Sequence, residues 1–358
     1  MTSRIGYKGP FLTIDKHTWI FFEGVDGIDI ANLCQRYITL ALRQHYSDIH
    51  FTPLENSYLI QLRSGSDLRI LTTLPLDVAQ RCLTYLKYNS GLDMGEQQLP
   101  QSGRLQLAGI DAASLRLSLI PNFRSQPSAV IRCVPLHITA PLALFDTQRK
   151  QLYQLITKKT GLLLFSGPVG SGKTATIAHL LEHVTAHYNR KIITVEDPVE
   201  RPSSAFLQFQ INENAQFTFD VVLRAILRHD PDIVMIGEIR DALSAQMAIR
   251  IALTGHLVVA TIHATDATGV LFRLNNFGVT ALDIEQTVEA VIAQQFISLA
   301  QTLTHRTLSP PLQRALIYEI VTAERLDSLL HTHQLPAHLR FPYLFKKGVR
   351  YGFIDPPN

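Results

Sequence analysis

Eight consecutive residues, Gly167-Pro168-Val169-Gly170-Ser171-Gly172-Lys173-Thr174, carry the spacing G-x-x-x-x-G-K-[ST] of a phosphate-binding loop. Glycines let such a backbone curl until successive N–H groups point inward and form an anion nest. In that setting Lys173 reaches the β- and γ-phosphates of a nucleotide, and the Thr174 hydroxyl binds Mg²⁺. A loop of this kind needs carboxylates for the metal and for an attacking water. Two sets follow it in the chain: Glu196-Asp197-Pro198-Val199-Glu200 and Gly237-Glu238-Ile239-Arg240-Asp241. Each comes directly after an apolar run, the second signature of a nucleotide hydrolase. Gly237 stands where many such proteins carry the Mg²⁺ aspartate, which leaves Glu238 as the main acid of its strand. His256 and His263 bracket a third apolar run, Leu257–Ile262. A histidine pair there suits a sensor of the γ-phosphate, and no third ligand nearby supports zinc. Arg224 and Arg228, four apart on one helix face, either pair with acids or touch phosphate.

These residues need a particular scaffold. Leu162–Phe165, Ile192–Val195, Ile233–Ile236 and Leu257–Ile262 are apolar on both faces and alternate with helical patterns. That predicts a largely parallel sheet covered on both sides. After Thr174, the residues Ile177, Leu180, Leu181 and Val184 recur at helical spacing, so a helix N-terminus faces the phosphates. In an open α/β sheet the ligand lies beyond the carboxyl ends of the strands, which puts both acid sets toward it. Ala315–Val321 reads as a late strand.

Upstream, Ile30, Leu33, Tyr37 and Leu40 share a helix face, and Tyr58, Ile60 and Leu62 alternate as in a strand. Val78, Cys82, Tyr85 and Leu86 form the apolar side of a second helix. Gly95 to Arg104 reads as a polar loop, and Leu115, Leu117 and Leu119 as a half-buried strand. Residues 30–134 therefore form a smaller α+β domain. Residues 135–141 are a proline-bounded linker, 142–325 the phosphate-loop domain, and 326–358 a histidine-containing tail or cap. Residues 1–29, with Trp19 to Phe22 as a possible strand, carry no functional signal.

The 358 residues suffice for two or three domains. Formal net charge is +3, which gives no electrostatic case for nucleic acid or an acidic membrane. The three cysteines, Cys34, Cys82 and Cys133, are widely spaced and suit free buried thiols in a reducing cytosol. No apolar run is long enough to span a bilayer, and no secretory leader is evident at the N-terminus.

Taken in series, these motifs resemble those of the traffic ATPases of type II secretion, type IV pili and competence pseudopili. The segments are the phosphate loop, Thr194 to Glu200, Leu227 to Asp241, and Thr254-Gly255-His256 through His263. In the first domain they are Ser47-Asp48-Ile49-His50 with Pro53, and Leu99-Pro100-Gln101-Ser102-Gly103-Arg104. The resemblance covers about residues 30–325. It implies an α/β fold, a P-loop (RecA-like) parallel-sheet domain preceded by a smaller N-terminal α+β, PAS-like domain. It implies that Lys173 and Thr174 hold phosphate and Mg²⁺, with Glu238 as the Walker B acid. Glu196 becomes the base or water-orienting group, and His256 and His263 sense nucleotide state. Arg104 and Arg116 close on the γ-phosphate. It further implies a homo-hexamer on the cytoplasmic face of the membrane, docked on a polytopic inner-membrane platform protein and acting indirectly on pseudopilins, with no direct contact to nucleic acid. The four-cysteine loop of the larger secretion members is missing, so ATP and Mg²⁺ are the expected cofactors and zinc is not. The short form resembles the competence pseudopilus ATPase of Gram-positive bacteria. Gln97, Ser102 and Gln295-Phe296 depart from the usual arginine, aspartate and Arg-Leu. The C-terminal helix motif of retraction motors is also missing, which favours assembly. The alternatives are a phosphate-loop kinase and an ATP-binding scaffold with weak turnover.

Overall fold

The computed structural model describes residues 29–44, 46–64, 67–110, 113–135, 143–168, 170–212, 215–304, 314–332 and 334–356. The expected N-terminal extension up to residue 28, most of the expected linker and Val169 lie outside them. The chain divides into two units, Met1–His137 and Ile138–Asn358.

In the first unit, α1 (Ile30–Arg43) starts at Asp29, whose Oδ1 accepts the Asn32 N–H at 3.1 Å. It buries Leu33, Cys34, Tyr37, Ile38 and Ala41 on one face, the i, i+3, i+4 stripe of a core-facing helix. Strands β1 (Asp48–Pro53), β2 (Ser57–Ser64) and β3 (Asp67–Pro75) precede α2 (Leu76–Asn89); β4 (Gln101–Leu105), β5 (Ala113–Pro121) and β6 (Pro127–Pro135) follow it. They form one antiparallel sheet in the order β3-β2-β1-β6-β5-β4. On β5, Ala113, Leu115, Leu117 and Leu119 are buried in a core shared with α1 and α2, while Ser114, Arg116, Ser118 and Ile120 point away. The register lines up Arg104, Arg116, Arg132, Asp48 and Arg63 as direct cross-strand neighbours from β4 to β2. Part of the expected 95–104 loop is thus strand, and it carries Arg104 into this row.

The second unit opens with α3 (Asp146–Ile156) and β7 (Gly161–Ser166), then α4 (Lys173–His187), β8 (Ile192–Glu196), β9 (Leu207–Gln210) and α5 (Phe219–Ile226). Next come β10 (Ile233–Ile239), α6 (Ala242–Leu253), β11 (Leu257–Ile262), α7 (Ala267–Asn276), α8 (Ala281–Thr287) and β12 (Val288–Ser298). The short α9 (Gln301–Thr304), β13 (Arg314–Thr322), α10 (Ala323–Thr332) and α11 (Phe341–Arg350) complete it. The seven-stranded sheet runs β13-β12-β7-β11-β10-β8-β9, parallel throughout except for the β12–β13 pair. Every residue of β7, β8 and β11 is buried. Helices α3 and α4 pack on one face of the sheet, and α5, α6, α7, α8 and α10 on the other.

The α/β class and the parallel core follow the periodicity. Two strands do not. β9 is short and only half-buried. β12 is eleven residues long and mostly buried, yet it holds the helix formers Glu289, Ala290, Ala293, Gln294 and Gln295. It also follows α8 with no turn residue between Thr287 and Val288, so nothing punctuates the switch. The 325/326 boundary expected for the tail falls inside α10. Leu326, Leu329 and Leu335 belong to the core of this unit, and Leu344 and Ile354 pack with Ile297 and Ile317 of the sheet.

Gly237 lies against the backbone of β8. A Cβ there would lie 3.2 Å from both Glu196 Cα and Val195 O, which are backbone atoms and cannot turn aside. Gly237→Ala should therefore cost about 1–3 kcal/mol of stability through overpacking. Urea denaturation measures it, and an unchanged midpoint would show that the strands part freely.

Candidate nucleotide-binding site

The phosphate loop leaves the carboxyl end of β7 and enters α4. Gly172 is the N-cap of α4 at φ +83°, a left-handed conformation that side chains with a Cβ rarely adopt. Gly167, at φ +145°, faces β12: a Cβ on it would run into the Gln294 carbonyl oxygen and lie 2.7 Å from Ser171 Oγ. A Cβ on Gly172 would sit 3.2 Å from the Phe296 ring. The loop thus rests against β12, and the fully buried Gln294 donates from Nε2 to Ser171 O at 2.6 Å. Lys173 is 9% exposed, and its ammonium donates to Gly167 O at 2.8 Å and Pro168 O at 3.1 Å. Burial lowers its pKa, against the pull of Glu238 and Glu200 in the other direction. Ser166 Oγ, Ser171 Oγ and Gln294 Oε1 are buried with no hydrogen-bond partner among the described residues. Polar atoms buried in that state call for a partner such as an ordered water or ion.

Both acids stand at the carboxyl ends of adjacent parallel strands. Glu196 ends β8 and is 6% exposed. Its Oε1 accepts from Thr194 Oγ1 at 2.7 Å and from Gln208 Nε2 at 3.1 Å. Burial pushes its pKa up, and the Thr194 and Gln208 hydrogen bonds hold it down. Glu238 lies near the end of β10. Its Oε1 is 3.1 Å from His263 Nε2, and its Oε2 accepts from Arg240 Nε at 2.7 Å. Arg240 also reaches Asp197 Oδ2 from Nη1 at 3.0 Å, so one guanidinium ties the two strand ends together. Thr261 Oγ1 donates to Gly237 O at 2.5 Å and links β11 to the same place. Thr174 on the first turn of α4 and Glu238 offer the hard oxygen donors that Mg²⁺ takes. Mg²⁺ is held by one or two protein groups plus phosphate, and among the described residues no cluster of three or more His, Cys, Asp or Glu gathers.

The histidine pair is split. His263 follows β11 and meets Glu238. His256 precedes β11, with Nδ1 3.0 Å from Thr254 Oγ1 and its carbonyl accepting the Gly161 N–H at 3.1 Å. Six strand residues at about 3.3 Å each put it roughly 20 Å from His263, at the opposite end of the sheet from the loop. The carboxyl-end rule that placed the two acids separates this pair as well: His263 follows β11 and His256 precedes it. Arg104 and Arg116 are exposed cross-strand partners in the first unit, where Arg116 Nη2 donates to Ser102 Oγ at 3.3 Å. Arg224 pairs with Asp220 at 2.9 Å, the structural use of the two left open. Arg228 is exposed in the 3-10 turn Leu227–His229.

Arg240, Thr194, Gln208 and Gln294 were not expected. Arg240 and Thr194 were within reach of the sequence, since each sits two residues from its acid on the same strand or at its end. Gln208 and Gln294 come from β9 and β12 and left no local signal.

A family model described as "Type II/IV secretion system protein" matches residues 24–331. The chain is 40% identical over 313 residues to the competence protein ComGA of Halalkalibacterium halodurans, covering 84% of this chain and 90% of that one. It is 35% identical over 340 residues to ComGA of Bacillus subtilis, covering 90% and 94%. The type IV pilus assembly ATPase PilB of Acinetobacter baylyi is 36% identical over 87% of this chain and 55% of its own length. Among solved structures, the pilus retraction motor PilT with bound ADP superposes with a TM-score of 0.69 at 24% identity, over 89% of this chain and 93% of that one. The Legionella pneumophila ATPase DotB superposes with a TM-score of 0.69 at 19% identity, over 91% and 93%. These two speak to the fold alone. With a family model spanning most of its length and relatives this similar from end to end, the chain belongs to the type II/IV secretion system protein family.

Proposed function

We propose that the chain is the ATP-hydrolysing, homo-hexameric motor for assembly of a competence pseudopilus or a related type IV pilus-like fibre. It acts at the cytoplasmic face of the membrane, docked on a polytopic platform protein and moving pseudopilins indirectly. None of its described helices is long and apolar enough to cross a bilayer. The observation that carries the reading is the convergence of a phosphate loop and two acids at the carboxyl ends of adjacent strands. The loop N–H groups and Lys173, which has a third N–H beyond the two it spends on the loop, bind the β- and γ-phosphates. Thr174 and Glu238 would hold Mg²⁺, which when bound would supply positive charge against the phosphates. Glu196 takes the proton from the attacking water, and burial makes it a stronger base than a solvated carboxylate. Arg240 and His263 hold Glu238 in place. Arg104 and Arg116 supply positive charge against the negative charge that builds on the γ-phosphate. His256 is too far from the loop in its own unit to act there. A kinase would instead transfer phosphate to a small acceptor, and a scaffold would show no turnover with Mg²⁺.

Lys173→Ala should abolish ATP binding in a fluorescent-nucleotide titration. Glu238→Gln should keep binding and lose 10²-fold or more in phosphate release, the order expected for a catalytic group. Normal hydrolysis in Glu238→Gln would remove that residue from the mechanism.

Glu196 works as a base only when ionised. Its raised pKa therefore puts the acid limb of the turnover–pH profile above the ordinary glutamate range. Gln208→Ala deletes a hydrogen bond that favours the charged form, so the acid limb should move to still higher pH. A limb that stays put or moves down would assign the proton to another group.

Residues 142–358 alone should bind ATP with near-normal affinity and hydrolyse it at least a hundredfold more slowly. An arginine supplied to the γ-phosphate is worth roughly 10³–10⁵ in turnover. Arg104→Ala in the full chain should show part of that loss. Light scattering separates it from loss of assembly, and full-rate hydrolysis by the shorter chain would make the arginines structural.

A further inference from the structure

Glu319 is a carboxylate buried in the second unit that has no part in the mechanism above. It lies on β13, is 3% exposed, and sits opposite Ala293 of β12, which is itself opposite Ser166 at the end of β7. It is therefore two strands from the start of the phosphate loop. Its two oxygens go to two different helices. Oε1 accepts the Phe341 N–H, the first residue of α11, at 2.7 Å. Oε2 accepts the Ala267 N–H, the first residue of α7, at 3.4 Å.

The first N–H groups of a helix have no partner within it and favour negative charge. α11 has no side-chain cap of its own: its N-cap residue is Arg340, which makes no capping bond. Glu319 serves in its place from a different element. α7 has Asp266, whose Oδ1 accepts the Gly269 N–H at 2.8 Å, and Glu319 adds a second acceptor one residue on. Burial pushes the Glu319 pKa up, while the two backbone N–H bonds favour the charged form. The ionised carboxylate has no proton on either oxygen and accepts from both helices at once.

What α7 begins with matters for the site. The segment Ile262 to Asp266 joins β11 to α7 and carries His263, whose Nε2 is 3.1 Å from Glu238. From the other side, Arg273 of α7 donates from Nη1 to the His263 carbonyl at 3.0 Å. The loop is thus held at both ends by α7, and α7 is held at its first residue by Glu319. We propose that Glu319 is a positioning residue for hydrolysis. It fixes the start of α7, and through it His263 against Glu238, with the C-terminal helix α11 sharing the same carboxylate. Movement of α11 then alters the acid that acts on the nucleotide, through one shared side chain. The proposal rests on the assignment of Glu238 and His263 given above.

Glu319→Gln tests it in the full chain. Glutamine keeps the shape, but one of its two heads is a donor facing an N–H. Hydrogen–deuterium exchange should rise at the first turns of both α7 and α11. The kcat for ATP should fall on the order of tenfold to a hundredfold, the scale of an ångström-sized misplacement, with KM and nucleotide affinity within about twofold. In a His263→Ala background the same substitution should cost nothing further, because a residue acting through His263 has nothing left to act on. A purely structural Glu319 would lower kcat equally in both backgrounds, and that result, or an unchanged kcat, overturns the proposal. Faster exchange confined to α11 also overturns it. If Glu319→Gln does not fold, Ala267→Pro takes its place. Proline is accepted at the first helical position and removes the N–H, so it cuts the α7 arm. Because its ring adds two carbons where Ala267 is fully buried, Ala267→Val, which adds two carbons and keeps the N–H, is the control. Only the proline should reproduce the kcat loss without loosening α11, and an equal loss in both overturns the proposal. An unchanged kcat for His263→Ala itself would place the failure in the assignment of the site, and the role of Glu319 would fall with it.

Discussion

The bond from Gln294 Nε2 to Ser171 O is where the sheet grips the phosphate loop. A loop that turns its N–H groups inward for an anion turns its carbonyls outward, and a buried carbonyl needs a donor. β12 supplies one, and its backbone at Gln294 and ring at Phe296 close against the two glycines where no side chain fits. The same strand pairs with β7 on one side and β13 on the other, so the loop is continuous with both the central sheet and the C-terminal elements. Without β12 the glycine-rich segment would be a flexible surface turn with no fixed cradle.

Chemistry at the other side of the loop depends on how near β8 and β10 come. Gly237 lets the strands close, and Arg240 then spans Asp197 and Glu238. Two acids drawn together would repel. A guanidinium between Asp197 and Glu238 offsets that, while Glu196 stays buried behind them with neutral partners, Thr194 and Gln208. The arrangement separates two carboxylates by environment: one charge-paired and partly open, the other shielded, with burial raising its pKa.

How much of this was legible depended on whether the signal was local. The phosphate loop, both acids and four of the parallel strands are written as short contiguous patterns, and those patterns survive folding. Arg240 was readable in principle from its spacing to Glu238. β12 was not, because alanine, glutamate and glutamine at its centre favour helix and only burial on both faces makes it a strand. Gln294 and Glu319 reach across elements far apart in sequence, so their roles depend on topology. His256 shows the converse. Its motif is intact, but it precedes β11, and the carboxyl-end rule applied to the acids places that position away from the ligand.

The row Arg104–Arg116–Arg132 on the open face of the first unit has one acid beside it, Asp48, bound to Arg132 at 3.1 Å. Cross-strand neighbours sit about 5 Å apart, and like charges opposite one another are unfavourable. Two copies meeting through this face would bring two such rows together and double the repulsion. A two-fold contact requires a surface to match itself, and this surface does not. A neutral or acidic surface would meet it without that repulsion. Contacts between unlike faces run head to tail, and head-to-tail contacts either close into a ring or grow into a filament. The charge pattern of one sheet thus weighs against a two-fold contact made through this row.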